Sequence, residues 1–442
     1  MRADIRIAWI LARGSERREW WGISLTLLGA LLATGFALTA VTIAAVRGQV
    51  STPYAHGLLN QPGQRAGVVL ALVLLLIPVL GFLGQCARVG AVHRHRRMAG
   101  MRLAGASPVQ VRRVAAAESG IVCLAGSAAG SATFAVLLAV TGHTPRPAAW
   151  AAFLVVVLTV PVIAALVSVF ALRHVVASPL AHVRRTNPDP GRRAALGFML
   201  AAGLIATAGL LFLFPDGKGV APFVLLVLGL VLLTGAGAIW VAGAFAAFMG
   251  RQLTLRAKSP TALIAASRLA HDPWAASRTH AALLLVTVVG VGFVGVRGVL
   301  LTSLDDSLRP VDPAFYTTGI DLAAAAVLVA LALSLCGLAV GTAESLATRR
   351  RGLAAQAAAG VPYTVLARAT LLETALPLAP ALLLAGAGGS AVYLAYAAIV
   401  GGPVPLLPLL VPVAVYAACL LAAATSLPLL RRVANPAELR FT

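Results

Sequence analysis

"RRMAGMRLAGASPVQVRRVAAAES", residues 96–119, lies between two apolar stretches of the chain. Its alanines, arginines and methionines favour helix, but Gly105 and Ser107-Pro108 interrupt them. Glycine readily adopts the left-handed conformation that ends a helix, while serine followed by proline suits the cap and first residue of the next one. The pattern predicts a helix, a sharp turn and a second helix that enters the membrane near Glu118. A carboxylate at that depth needs a partner, and Arg88 and Arg113 are candidates.

The composition is that of an integral membrane protein. Of the 442 residues, 60% are hydrophobic and only 11% are charged, against about 25% charged in soluble domains. Apolar stretches of about 20 residues can cross a bilayer. We predict an all-α membrane protein with ten spans, at residues 20–46, 67–87, 119–140, 149–172, 195–214, 220–248, 279–300, 322–343, 374–397 and 406–430.

The positive charge is distributed by side of the membrane. With these spans, 29 of the 35 lysines and arginines fall in the segments on one side, which include both chain ends. Positive residues stay cytoplasmic, so both termini are predicted to be inside. Topology and attraction to anionic membrane lipids account for the formal net charge of +21. No nucleic-acid partner is expected.

The opening segment has a second copy, "RRRGLAAQAAAGVPYTVLARATLLET", at residues 349–374. A basic Asn-Pro tail also follows each half, near residues 187 and 435. The sequence therefore predicts a first four-helix repeat at 1–193, linking helices at 194–250 and a second repeat at 251–442, with coupling segments at 92–118 and 347–373. A constant offset of 255 aligns Arg94 with Arg349, Arg96 with Arg351, Gly105 with Gly360, Arg113 with Arg368, and Glu118 with Glu373.

These parts resemble the FtsX-like permease family, the mechanotransmitting class of ABC transporter permeases. That family's unit has an arginine-rich helix, a Leu-Gly-Ala-Ser-like turn and a glutamate, similar to Leu103-Ala104-Gly105-Ala106-Ser107 and Glu118 here. The second copy is similar more loosely. The 4+2+4 helix layout is similar to BceB-type permeases, although those carry a large extracellular domain between helices seven and eight. Here residues 301–320 form only a short connection, so the substrates of those relatives do not transfer.

A transporter needs an energy source, and this chain offers no nucleotide site. A phosphate-binding loop needs glycines and a lysine, but Lys218 is predicted outside the cell and Lys258 lacks the glycines. No catalytic motif occurs, and the cysteines and histidines form no metal-ligand pattern. The chain is therefore expected not to be an enzyme. The resemblance implies a separate ATP-binding subunit, in two copies, that carries the ATP and magnesium.

The candidate functional residues fall into three groups. The first group would couple the ATPase to the membrane helices: Arg97, Arg102, Leu103, Gly105, Ala106, Ser107, Val109, Arg113, Glu118, Arg351, Gly360, Val361, Tyr363, Arg368 and Glu373. The second consists of small residues for close helix packing, and these faces could alternatively meet at the axis relating the two repeats: Gly126, Gly130, Ala381 and Ala385. The third could contact a substrate or partner outside the cell: Arg297, Asp305, Asp306 and Arg309.

Two functions remain open from the sequence. The first is export of an amphipathic or lipid-like compound, such as an antibiotic, which would enter from the bilayer because the external loops are short. The second is mechanical signalling to an external partner through residues 47–66 or 301–320. An ion-coupled carrier ranks last, because no acidic residue falls in the middle of a span. The arginine-rich, alanine-rich composition suggests the plasma membrane of a GC-rich bacterium.

Overall fold

The computed structural model describes residues 17–46, 48–51, 59–60, 62–86, 100–101, 103–142, 150–151, 153–162, 196–197, 199–200, 203–204, 207, 220–305 and 313–435. Within these ranges the secondary structure is helical and includes no strand. The α-helices are α1 (Arg17–Ala44), α2 (Pro62–Cys86), α3 (Pro108–Val140), α4 (Val220–Arg256), α5 (Pro260–His271), α6 (Pro273–Asp305), α7 (Pro313–Thr348), α8 (Arg350–Ala358), α9 (Tyr363–Val400), α10 (Val411–Ala424) and α11 (Leu427–Val433), and a 3₁₀ turn at Leu407–Leu410 precedes α10.

The described helices confirm an all-α membrane protein. Seven segments are long and apolar enough to cross a bilayer: Gly22–Ala44, Val109–Val140, Leu226–Arg256, Thr279–Ser303, Thr317–Thr348, Tyr363–Ala398 and Leu407–Val433. They coincide with seven of the ten predicted spans. The second predicted span coincides with α2, and an apolar helix at Phe153–Val162 lies in the fourth. Most of the fifth falls outside the described residues, so the total of ten and the orientation stay predictions.

Two long helices begin well before the membrane. Helix α3 has 33 residues and α9 has 38. At 1.5 Å per residue they measure about 50 and 57 Å, against about 30 Å for the hydrocarbon core. Each therefore is longer than the bilayer core, and α9 contains two interior prolines, Pro377 and Pro380, that favour a bend. The second half of each predicted coupling segment and the following span are a single helix.

The chain divides into two compact units, which are described separately: residues 1–50 with 68–188, and residues 51–67 with 189–442. In the first unit, α1 packs closely on α3. The hydroxyl of Thr34 donates to Ser127 Oγ at 3.0 Å, and both residues are fully buried. A second contact layer is formed by Leu38, Phe134 and Phe153.

The second unit is a bundle built around α4, α6 and α9. Glycines allow these helices to approach one another: Gly389 of α9 lies against Val288 of α6, and Gly388 of α9 lies against Thr234 of α4. Helix α4, which the sequence assigned to the linking region 194–250, thus packs within the same unit as the second repeat.

Helix α5 was not anticipated as a separate element, since residues 251–278 were expected to form a basic connection. Ser259 caps it, and its side chain accepts a hydrogen bond from the Ala262 amide at 3.3 Å. Its buried side is formed by Ala265, Ala266 and Leu269. It packs against α4 at Gly250, where an added Cβ would lie 2.6 Å from the Ala270 nitrogen.

Candidate coupling site

The first elbow is the turn between residues 100–103 and α3. Gly105 has a φ of +95°, which explains the glycine at this position. The Ala106 amide donates to Met101 O at 2.9 Å, a bond that closes the end of the preceding helical turn. The turn geometry predicted from Gly105 and Ser107 is therefore present.

A capping box begins α3. The Ser107 side chain accepts a hydrogen bond from the Gln110 amide at 3.2 Å, and the Ser107 amide donates to Gln110 Oε1 at 2.8 Å. Pro108 stands in the first turn of the helix. Two amides at the helix start are thereby satisfied. Gln110 was not among the predicted residues, although the Ser-x-x-Gln spacing is its signal.

The second elbow repeats this backbone geometry at the same offset. Gly360 has a φ of +89°, and the Val361 amide donates to Gln356 O at 3.1 Å. These residues lie at the positions that the repeat aligns with Gly105, Ala106 and Met101. Pro362 is the cap of α9, and no side chain completes it. The two elbows thus share the turn and differ in the cap.

Glu373 of α9 is held by two arginines. Arg349 Nη1, at the start of α8, donates to Glu373 Oε1 at 2.7 Å and to Oε2 at 3.0 Å. Arg268 Nη1 of α5 lies 3.4 Å from Glu373 Oε2. We call Arg268, Arg349 and Glu373 the charged triad. It connects three helices: α8, which precedes the turn at Gly360, α5, which precedes α6, and the spanning helix α9.

The environment of Arg268 is less aqueous than that of a surface arginine. Burial lowers the pKa of its guanidinium, and the carboxylate of Glu373 opposes that shift. A small cavity of about 70 Å³ adjoins the triad. Its lining includes buried His280, Thr370 and Thr374. Polar groups therefore surround the point at which the elbow meets the bundle.

The arginines nearest along the chain are not the ones that hold Glu373. At the first elbow, Arg113 is exposed while Glu118 is half-buried, and Arg88 lies outside the described residues. At the second elbow Arg368, the counterpart of Arg113, is exposed too. Five residues along a helix turn by about 140°, so Arg368 and Glu373 point to different sides of α9. The partners of Glu373 come instead from α5 and from the start of α8.

The second elbow is also packed against helix α11. The Tyr363 hydroxyl donates to Leu427 O at 2.6 Å, and the Arg431 guanidinium lies 4.9 Å above the Tyr363 ring. Leu353 of α8, Leu366 of α9 and Leu430 of α11 form one buried cluster. Helix α11 thereby fixes the elbow, a contact that no local pattern in the sequence indicates.

Two apolar side chains at the first elbow are exposed. Leu103 is 66% exposed and Val109 is 52% exposed, on either side of the turn. Val111 and Val114 are buried beneath it and pack on Met101. Of the other candidates, Arg351 is exposed, and Val361 and Tyr363 are half-buried. Arg97 and Arg102 lie outside the described residues.

The small residues proposed for packing are at helix contacts. A Cβ added to Gly126 would lie 2.5 Å from Leu27 O, and one at Gly130 would lie 2.8 Å from Leu31 O. This face of α3 is therefore occupied by α1 of the same unit. Ala381 and Ala385 of α9 are fully buried.

The candidates for external contact are only partly described. Arg297 is exposed near the end of α6, and Asp305 is the last residue of that helix. Asp306 and Arg309 lie outside the described residues. Within the described ranges, no group of three or more histidine, cysteine or acidic residues could hold a metal ion.

Comparison with known proteins adds one match. The family model described as FtsX-like permease C-terminal matches residues 67–180. The matched stretch begins within α2, contains the first elbow and α3, and extends through the fourth predicted span. None of the curated proteins matches the chain.

Proposed function

We propose that this chain, whose residues 67–180 match the FtsX-like permease family model, is the membrane-spanning subunit of an ABC transporter driven by a separate ATP-binding subunit. Its multi-pass helical architecture fits that role. In this proposal the chain itself has no ATPase activity. ATP and magnesium belong to the partner.

The observation that carries the proposal is the continuity of each elbow with a spanning helix. The first elbow turns at Gly105 directly into α3, and the second turns at Gly360 into α9. Helix α3 has no proline after Pro108, so a push on the first elbow is passed along its axis to the buried part of the helix. Helix α9 contains Pro377 and Pro380, where interior proline favours a bend, so a push on the second elbow reaches the buried part of α9 through that bend. Two such levers would suit two copies of the ATP-binding subunit.

The charged triad supports this role at the second elbow. Because Glu373 binds Arg349 and Arg268, a displacement of α8 is passed to α9 and α5 together. Helix α5 in turn precedes the spanning helix α6 with only Asp272 between them. Movement of one cytoplasmic element would thus reach two spanning helices.

The transported compound in this proposal is amphipathic or lipid-like, and it is exported from the plasma membrane. The supporting feature is the shortness of the connections on the external side, such as residues 401–406 between α9 and the 3₁₀ turn. With so little external protein, the membrane itself is the available source of substrate. Hydrophobic side chains including Leu383 at 73% and Leu421 at 70% exposure face outward on the spanning helices.

The test is ATPase activity of the permease reconstituted in lipid nanodiscs with the ATP-binding subunit encoded beside it. We expect a panel of amphipathic compounds to contain at least one that stimulates hydrolysis. The ATP-binding subunit alone, with the same compounds, is the control. Failure of the two proteins to associate would contradict the transporter assignment. Association with hydrolysis that no compound alters would favour signalling to an external partner.

A further inference from the structure

An open groove lies on the second elbow, between the elbow and helix α11, with a volume of about 510 Å³. Ala357 and Val361 form the elbow wall, and Ala434 lies on the opposite wall. Leu366, which is fully buried, forms part of its base. We call this the α11 groove.

Contacts between α9 and α11 fix the shape of the groove. The Tyr363 hydroxyl bonds to Leu427 O at 2.6 Å, and Arg431 stacks on the Tyr363 ring. The buried leucine cluster beneath them joins α8, α9 and α11. A ligand would therefore find the groove already formed, which lowers the ordering cost of binding.

Its surroundings are strongly basic. Arg351, Arg368, Arg431 and Arg432 are exposed on α8, α9 and α11. Between residues 349 and 435 the sequence has one acidic residue, Glu373, and its carboxylate is engaged by Arg349 and Arg268. The α11 groove thus combines a largely apolar lining with one arginine, Arg431, and the other exposed arginines lie on the same three helices.

Its position along α9 argues against a lipid as occupant. Tyr363 precedes Glu373 by ten residues, which is about 15 Å of helix. The predicted ninth span begins at residue 374, so in that topology Glu373 marks the level at which α9 meets the membrane. The headgroup layer is only about 5–8 Å deep on each side. In the predicted topology the groove consequently lies on the cytoplasmic side of the headgroups.

We propose that the α11 groove receives an apolar side chain flanked by carboxylates on the ATP-binding subunit. The proposal rests on the transporter function proposed above and adds the chemistry of the contact. In this proposal the two elbows contact the ATP-binding subunit through surfaces of different shape. The first offers the exposed Leu103 and Val109 as a projection, whereas the second offers a recess that Arg431 lines in part.

A photo-crosslinking amino acid placed at Ala357 tests the occupant in the assembled complex. We expect ultraviolet light to join it to the ATP-binding subunit, at a peptide that mass spectrometry shows to contain acidic and apolar residues. The same amino acid at Leu255, which is 82% exposed at the end of α4, is the control and should give little of this product. Crosslinks to lipid alone, or only to this chain's own residues, would overturn the proposal.

Binding measurements separate this proposal from the transporter assignment. We expect Arg431→Glu and Ala357→Trp each to weaken association with the ATP-binding subunit by about tenfold. Arg256→Glu makes the same charge change on an exposed residue away from the groove and should bind like the wild type. If the wild type does not bind, the transporter assignment fails. If the wild type and both groove variants bind equally well, the α11 groove alone is excluded.

Discussion

Glu373 binds Arg349 through both carboxylate oxygens, at 2.7 and 3.0 Å. The bond connects the start of α8 to α9, the helix that follows the turn. The two residues are 24 positions apart, and the turn at Gly360 lies between them. The bond therefore links α8 and α9, the two helices on either side of that turn. Arg268, from a third helix, is attached to the same carboxylate.

The two bonds of Glu373 should contribute unequally. We predict that a double-mutant cycle of Glu373→Ala with Arg349→Ala gives a larger coupling than one with Arg268→Ala, because Arg349 makes two short bonds and Arg268 one bond of 3.4 Å. A coupling of about 1 kcal/mol with Arg349 is expected for a partly exposed charged pair. Melting temperatures of the purified variants measure both cycles. Equal couplings, or none with Arg349, would contradict the prediction.

The elbow turns should matter for coupling rather than for folding. Gly105→Val and Gly360→Val force a β-branched residue into left-handed backbone, at a cost of about 1–2 kcal/mol, although open space surrounds both positions. We predict lower transport with basal ATP hydrolysis retained. The loss should be larger at Gly105, because the helix after that turn begins with a complete capping box. Transport per ATP hydrolysed is the measurement.

The control for the turns is Gly352→Val, in α8 at the second elbow. Gly352 also has no neighbour near an added Cβ, but its φ is not positive. It should transport like the wild type. If all three variants transport equally at matched expression, the elbows merely reverse the chain direction.

The contact between α1 and α3 should be intolerant of any side chain at Gly126. An added Cβ would lie 2.5 Å from Leu27 O and 2.8 Å from the Ala30 Cβ, so Gly126→Ala must push the helices apart. We predict a destabilisation of about 1–3 kcal/mol, seen as a lower melting temperature. Gly35→Ala in α1 is the matched control, since open space surrounds that position. Equal melting temperatures would show that the contact is loose.

The two lysines allow a test of orientation on the unaltered protein. The charge distribution places Lys218 outside and Lys258 inside the cell. We predict that an amine reagent that cannot cross membranes modifies Lys218 on intact cells and modifies Lys258 only after lysis. Peptide mass spectrometry identifies the modified residue. Modification of Lys258 on intact cells would reverse the predicted topology.

The two elbows in one chain predict the composition of the complex. We expect one copy of this chain with two copies of the ATP-binding subunit, because each elbow supplies one contact. Native mass spectrometry of the detergent-solubilised complex measures the ratio, and the permease purified alone provides the reference mass. A complex with two copies of each protein would contradict this prediction.

The sequence by itself determined the helical membrane class, the internal repeat and the turns at Gly105 and Gly360. These follow from local rules: apolar length sets a span, and glycine followed by a cap residue or proline sets a turn. It also singled out Glu373, since a carboxylate at the membrane boundary is costly unless paired. Both elbows and seven of the spans could be located in this way.

Only the tertiary structure decided which residues meet. Arg268 reaches Glu373 across 105 positions, and Tyr363 reaches Leu427 across 64. A carboxylate beside a basic cytoplasmic segment has many possible partners, and for the equivalent Glu118 the sequence indicated Arg88 and Arg113 as candidates. The α11 groove likewise exists only because α11 folds back on the second elbow. Such contacts depend on how helices pack, and helix packing is set by side chains distributed over the whole bundle rather than by any local pattern.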